Sequence, residues 1–394
     1  MSIAITGIGV ISAIGNGVEE NLTQLKLGQS GIEPIKGLAG IRKDYLGGQV
    51  KLSNDDLKIH LNIDRNQSIP RSALLAMFAA KEAWGSNNPS SGLRIGLINA
   101  TSVGGMDLSE QFYSEFKNTG SLDKIESLAT HDNGASTEIL SDYIGIKSNI
   151  YTISTACSSA ANAILLGARL IKAGELDQVL VGGGDGITNF TLNGFDSLSI
   201  YDTEFCRPFD DNRKGLNLGE GAGFIVLESE HALTKTNNTV LAKLAGWGNS
   251  NDSFHQTASS PEGKGAKLAM MDALAIAKLN PADIDYINAH GTATPNNDAS
   301  ESAAIHAIFG ADKPPFSSTK AFTGHTLAAA GGIEAVYSVL AIQSSLIFPN
   351  LNYTTRMKEN DFDPITVLTE KKLNHIVSNS FGFGGNSSSL IFSS

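Results

Sequence analysis

Cysteine is almost absent from this chain: Cys157 and Cys206 are the only two among 394 residues. Two thiols build neither a disulfide framework nor a four-cysteine zinc site. Such sparse use fits a reducing compartment, and the expected location is cytoplasmic. Positive charge is also scarce. Lys and Arg number 29 against 40 Asp and Glu, a net charge of −11, whereas nucleic-acid binders usually carry a basic face. No run of apolar residues approaches the eighteen or so that suggest a membrane span. The opening stretch MSIAITGIGVISAIG has no basic segment ahead of its apolar one. It reads as a first strand and turn, not as a signal peptide.

Glycine, in contrast, is plentiful, with 41 residues, and implies tight turns and close backbone contacts. Apolar residues make up 41% and charged residues 18%, which supplies a large core and argues against global disorder. The length suggests two or three domains, or one large duplicated fold.

Short apolar runs alternate with helical patterns. Ile3 to Ile5, Arg94 to Ile98, Val179 to Val181 and Phe224 to Leu227 read as buried strands. Ser72 to Trp84 and Ser159 to Lys172 read as helices, the second apolar on nearly every side and ended by Gly174. Together with VLVGGGD (179–185) this second helix makes a βαβ unit. The other half shows the same alternation, with strands at Val240 to Ala245, Tyr286 to Ala289 and Leu390 to Phe392, and helices at Gly265 to Lys278 and Gly331 to Gln343. The polar stretch TKTNNT (234–239) is the best boundary. The expected fold is α/β: two halves, 1–238 and 239–394, sharing one core without a literal sequence repeat.

Four stretches carry residues suited to chemistry. In STACSSAANAILLG (154–167), Cys157 lies where strand gives way to helix. A free cysteine is usually an inert small hydrophobe. Here, however, the helix N-terminus favours thiolate, and the small neighbours leave room for a long substrate. Cys206, in EFCRPFDD, lacks that setting and reads as structural. In NAHGTATPNND (288–298), His290 ends a strand, the place where ligands gather in α/β sheets. In STKAFTGHTLAAAGGIEA (318–335), Lys320 and His325 share a loop, and Glu334 follows on a helix; Lys320 and Glu334 make at least a buried ion pair. In SNSFGFGGNSSSLIF (378–392), the glycine-rich loop around Phe381 and Phe383 can aim backbone N–H groups at an oxyanion.

In this order TACSSA, NAHGTATP, STKAFTGH and NSFGFGGN resemble the elongating β-ketoacyl-[acyl-carrier-protein] synthases, condensing enzymes of the thiolase superfamily. The likeness covers the whole chain, including GIGVISAIG and CRPFDDNRKGLNLGEGAGFIVLE (206–228). It implies a thiolase-like fold of two similar βα halves in a five-layered α-β-α-β-α arrangement. It also implies decarboxylative condensation of an acyl group on Cys157 with malonyl-acyl carrier protein, releasing CO2 and a 3-oxoacyl thioester. His290 and His325 match the active-site histidines, with Lys320 and Glu334 as their supporting pair. Phe383, with Phe381 in the same loop, matches the gate, and the Phe383 N–H joins that of Cys157 as the oxyanion hole. Thr292 and Thr294 match the positions that hydrogen-bond the phosphopantetheine arm, with Thr257 near that channel. Val103 and Met106 match positions lining the acyl pocket. The scheme needs no metal and no organic cofactor. The implied partners are acyl carrier protein and a second subunit, in a homodimer or a heterodimer with a related synthase-like chain; neither nucleic acid nor membrane is expected. Arg65 and Arg71 are candidates for docking the acidic carrier.

Relatives with other chemistry fit less well. Degradative thiolases carry a second cysteine in the C-terminal glycine loop, where this chain has Phe381 and Phe383. Initiating synthases use Asn where His325 stands. A chain-length-factor subunit lacks the nucleophile. TLNGFDSLSIYD (191–202) and THDNGAST (130–137) resemble instead the synthases of aryl-polyene or flexirubin-type pigment pathways. Housekeeping fatty-acid elongation and specialised polyene elongation are therefore both expected readings.

Overall fold

The computed structural model describes residues 3–38, 44–88 and 92–394. Ten strands form one continuous path. In the first half they are β1 (Ile3–Ser12), β2 (Ile95–Ala100), β3 (Ile150–Ile153), β4 (Gln178–Asp185) and β5 (Gly221–Glu228). In the second half they are β6 (Ala242–Asn251), β7 (Tyr286–Asn288), β8 (Phe316–Ser317), β9 (His375–Phe381) and β10 (Asn386–Ser393). The order across the sheet is β8-β7-β9-β10-β6-β1-β5-β4-β2-β3, and the two-residue strand Gly15–Asn16 extends β1.

That order shows a duplication. Outward from the β1/β6 seam, each half runs first, fifth, fourth, second, third strand. Pairing senses agree too. β2 is parallel to both β3 and β4, as β7 is to β8 and β9, while the remaining pairs are antiparallel. The seam is a short antiparallel pairing of Ile3, Ala4 and Ile5 with Leu244, Lys243 and Ala242.

Six principal helices cover the strands: α1 (Arg71–Trp84), α2 (Asn133–Ile144), α3 (Ser159–Lys172), α4 (Lys264–Ala277), α5 (Pro295–Phe309) and α6 (Ala330–Ser344). Successive strand side chains face opposite ways, and the core clusters follow that alternation. Ile225 and Leu227 of β5 join a central core with α3 and α6, whereas Phe224 and Val226 join an outer core with α1 and α2. On β10, Leu390 and Phe392 face the central core, and Ile391 faces a third core with α4 and α5. Outer helices, sheet, α3 with α6, sheet, and outer helices make five layers.

The stretch Leu327–Ser344 corrects one expectation. It has eighteen residues of mean hydropathy 1.3, long and apolar enough to cross a membrane by composition, but 89% of it is buried inside the protein. A helix packed on all sides in the central layer needs apolar residues all round. Gly174, with φ 72°, does end α3, where the Glu175 N–H bonds to the Leu170 carbonyl. All four sequence motifs fall at one rim: beyond the ends of β3, β7 and β8, and in the turn between β9 and β10.

Candidate active site

Cys157 lies between β3 and α3, two residues before the helix begins. It is 5% exposed. The residue before it, Ala156, has φ 52°, a left-handed conformation uncommon for a residue with a side chain. Two bonds hold that turn: the Thr155 N–H donates to Ser159 Oγ (2.8 Å), and the Ser159 N–H to the Ala156 carbonyl (3.1 Å). The sequence favours a thiolate here, but the structure corrects this for the resting enzyme. Burial pushes the thiol up to about 12, and the Lys320 ammonium offsets only part of that shift. The backbone N–H groups of Phe383 and of Cys157 itself also offset part of it.

The imidazoles of His290 and His325 meet edge to face, with centroids 5.4 Å apart, and Phe381 packs 5.6 Å from His290. Both histidines are buried. Burial first, and the nearby Lys320 charge second, hold both well below the ordinary imidazole range, so each is neutral. Lys320 Nζ lies 3.2 Å from His290 Nδ1 and donates to the His290 carbonyl (2.5 Å) and to Glu334 Oε1. An ammonium has only donors, so His290 Nδ1 accepts and its proton sits on Nε2. His325 is fixed through its backbone: its N–H donates to the Asn217 carbonyl (2.7 Å), and its carbonyl accepts from the Gly219 N–H (2.9 Å). Its Nδ1 is buried without a hydrogen bond among the described residues.

These groups converge on one cavity of about 280 Å³, lined by Cys157, His290, His325, Phe381 and Phe383. Thr257, Thr292 and Thr294 line it as well, and the two hydroxyls of Thr292 and Thr294 are 2.8 Å apart. Phe383 stacks on Phe195, with centroids 5.7 Å apart. Val103 and Met106 do not line the cavity. They pack in an apolar cluster with Phe195 and Leu216, and these two do line it. Arg71 is not on an open face. It heads α1, half-buried against Glu220, which it grips through Nε (2.8 Å) and Nη2 (2.6 Å); its Nη1 bonds to Asn54 and Nη2 also to the Val50 and Leu52 carbonyls, which leaves nothing for a docking carrier. Arg65 is exposed. Cys206 is buried in a small apolar cluster away from the cavity. Among the described residues, no group of three or more His, Cys, Asp or Glu side chains is placed to hold a metal ion.

Three supporting residues were not singled out in the sequence. Glu301, on α5, accepts the N–H groups of His290 and Gly291 (both 2.9 Å) and an Asn379 amide hydrogen (3.0 Å). Burial pushes it up to about 7. Asp185, at the end of β4, accepts from Thr101 Oγ1 (2.5 Å), the Val103 N–H (3.1 Å) and the Ala328 N–H (2.9 Å). It thereby joins the 101–103 loop to the segment after His325. Asn386, at the start of β10, bonds to the Cys157 turn through Ser158. An acid standing among alanines and serines in NNDASESAAI was the one signal for Glu301; the other two needed the fold.

The chain is similar to known proteins over nearly its whole length. Residues 1–232 match the family model described as beta-ketoacyl synthase, N-terminal domain, and residues 241–354 match the corresponding C-terminal domain. Nodulation protein E of Rhizobium meliloti is 35% identical, over 99% of this chain and 98% of that protein. The 3-oxoacyl-[acyl-carrier-protein] synthase 2 of Staphylococcus aureus (strain COL) is 32% identical, over 99% of this chain and 97% of that protein. Among solved structures, the ishigamide ketosynthase/chain length factor superposes with a TM-score of 0.93 at 28% identity, covering 100% of this chain and 99% of that one.

Proposed function

The chain belongs to the beta-ketoacyl synthase family and performs the carbon–carbon bond-forming condensation of a 3-oxoacyl-[acyl-carrier-protein] synthase, and we propose that Cys157 carries the acyl group while His290 and His325 serve the malonyl half-reaction. The single observation behind this assignment is the convergence of one buried thiol, two neutral imidazoles and the Phe383 loop on one cavity.

In the first half-reaction the sulfur of Cys157 attacks the thioester carbonyl of an acyl carrier. The Cys157 and Phe383 N–H groups hold the tetrahedral oxyanion. The carrier leaves as its thiol, taking up the proton that Cys157 lost. In the second, malonyl carrier loses CO2, and the electron pair of the broken bond passes to an enolate. Its oxygen faces Nε2 of His290 and the His325 ring. Neutral donors suit this step, since a second cation beside Lys320 is costly in a buried site. The enolate carbon attacks the acyl-cysteine, the thiolate departs, and one proton restores the thiol. The product is a 3-oxoacyl carrier two carbons longer. Thr292, Thr294 and Thr257 line the path of the pantetheine arm. Glu334 balances the charge of Lys320, whose Nζ–H keeps His290 in its Nε2–H tautomer. The scheme uses no metal or organic cofactor.

Fatty-acid elongation is the pathway proposed, with acyl carrier protein as partner and the cytoplasm as location. Aryl-polyene, flexirubin-type or other polyketide-like elongation is a second reading. It is favoured by the likeness to a ketosynthase/chain length factor and by segments 191–202 and 130–137. A second copy, or a related synthase-like chain, would continue the sheet at its edge strand β3, where Tyr151 is 40% exposed. A non-catalytic role as the chain-length-factor subunit itself is disfavoured by Cys157. The test is intact-mass loading of wild type and Cys157→Ala with a panel of acyl carriers, followed by malonyl carrier and product analysis. Wild type should gain the acyl mass and release 3-oxoacyl product. Acylation surviving in Cys157→Ala would displace Cys157 as the nucleophile.

A further inference from the structure

The two N–H groups assigned to the oxyanion hole come from opposite halves of the molecule. Cys157 precedes α3 of the first half; Phe383 sits in the β9–β10 turn of the second. Neither half alone sets the distance between them. Three asparagines bridge the gap. Asn386 Oδ1 accepts from Ser158 Oγ (2.7 Å), from Asn162 Nδ2 on α3 (2.8 Å) and from Asn249 Nδ2 on β6 (3.0 Å). The Asn162 amide also donates to Thr155 Oγ1 (2.9 Å), on the other side of Cys157. Asn162 Oδ1 accepts from Asn249 Nδ2 (3.0 Å) and Ser388 Oγ (2.7 Å). The backbone of Asn386 closes the loop of Phe383, since its carbonyl accepts the Gly382 N–H (2.8 Å).

The contact this network holds is backbone against backbone. A Cβ on Gly382 would lie 2.8 Å from the Thr155 carbonyl and 3.2 Å from the Cys157 nitrogen. With so little separation, the angle and spacing of the two N–H groups follow the attachment of the loop to the turn. We propose that Asn386 is a positioning residue: its single side-chain oxygen docks the Phe383 loop on the Cys157 turn and so sets the geometry of the oxyanion hole. The proposal rests on the roles given above to Cys157 and to the Phe383 N–H. It bears on the steps at the acyl carbonyl, acyl transfer and the later attack on the acyl-cysteine, and spares decarboxylation, because the enolate faces the histidines instead.

The experiment separates the two half-reactions. Acyl transfer from acyl carrier to Cys157 is timed by rapid quench and intact mass. CO2 release from malonyl carrier is measured without an acyl donor. In Asn386→Ala, acyl transfer should slow by about ten- to a hundred-fold while CO2 release stays within about two-fold. Asn386→Asp keeps an oxygen acceptor for all three donors and should restore acyl transfer to within about three-fold of wild type. If Asn386→Ala fails to fold, Ser158→Ala removes one of the three donors and should give the same selective loss at smaller size. A parallel fall in both half-reactions, unchanged acyl transfer in Asn386→Ala, or failure of Asn386→Asp to rescue would overturn the assignment. Wild type that takes up no acyl group at Cys157 would overturn the function reading and this inference together.

Discussion

Cys157 shows the difference between what a residue is and what its surroundings make it. Its place before α3 is readable from STACSSAAN, and the helix end argues for a thiolate. The folded site argues more strongly the other way, because burial raises the cost of charge on sulfur. Titration therefore takes a defined form. The thiolate fraction should grow about tenfold per pH unit across pH 7 to 9, with no plateau near the ordinary thiol value of about 8.5. Iodoacetamide alkylation of Cys157, followed by peptide mass mapping, measures this. A plateau below pH 9 would show that the substrate-free site already holds a thiolate. The histidines were legible as residues at strand ends and in a glycine loop. Their neutrality, and the Nε2–H tautomer of His290, were not. The neutrality comes from burial first and Lys320 second, and the tautomer from Lys320, which stands 30 positions from His290 in the chain and 3.2 Å from its ring.

At the scale of single elements, glycine explains both what was legible and what was hidden. β1 was visible only as Ile3 to Ile5, yet it runs to Ser12. Gly7 and Gly9 interrupt its apolar pattern for a reason that lies outside the strand. A Cβ on either would sit 2.1 Å from a carbonyl of α1, that of Ala83 or of Ala79. The same logic separates two helical glycines. Gly332, in α6, would bring a Cβ to 2.3 Å from the Gly223 carbonyl of β5, whereas a Cβ on Gly194, in the helix Asn189–Ser197, meets nothing within 4 Å. Propensity alone favours alanine at both sites by about 0.8–1 kcal/mol. Gly194→Ala should therefore be neutral or stabilising by up to about 1 kcal/mol. Gly332→Ala should lose about 1–3 kcal/mol, because a well-packed interior cannot absorb the added methyl. Urea unfolding of the two variants checks the contrast, and a stabilised Gly332→Ala would refute it.

For the whole molecule, the repeated strand order implies two units of one design, yet the energetics do not divide at the polar stretch 234–239. The central core draws on both halves, including Ile164 and Val181 from the first and Trp247, Ile333 and Phe392 from the second. A shared interior couples unfolding of one half to the other. The two tryptophans report separately: Trp84 lies in the outer core of the first half, and Trp247 on β6 in the central core. In Trp84→Phe and in Trp247→Phe, the urea midpoint of the remaining tryptophan's fluorescence should coincide with that of far-ultraviolet circular dichroism. Separated midpoints would mean that the halves fold independently.

What the sequence determined by itself is the chemistry and its approximate places. Alternation of apolar runs with helical patterns announces an α/β fold. A thiol, two imidazoles and a glycine-rich loop appear in motifs whose order resembles that of the condensing enzymes. Such signals are local, carried by neighbours within a dozen residues. The tertiary structure decided the rest, because the rest depends on atoms close in space and distant in the chain. The pairing of β1 with β6, the burial that keeps the Cys157 thiol protonated, and the Glu301 clamp on the His290 backbone belong to that class. So does the Asn386 oxygen that ties the Phe383 loop to the Cys157 turn, across more than two hundred residues of chain.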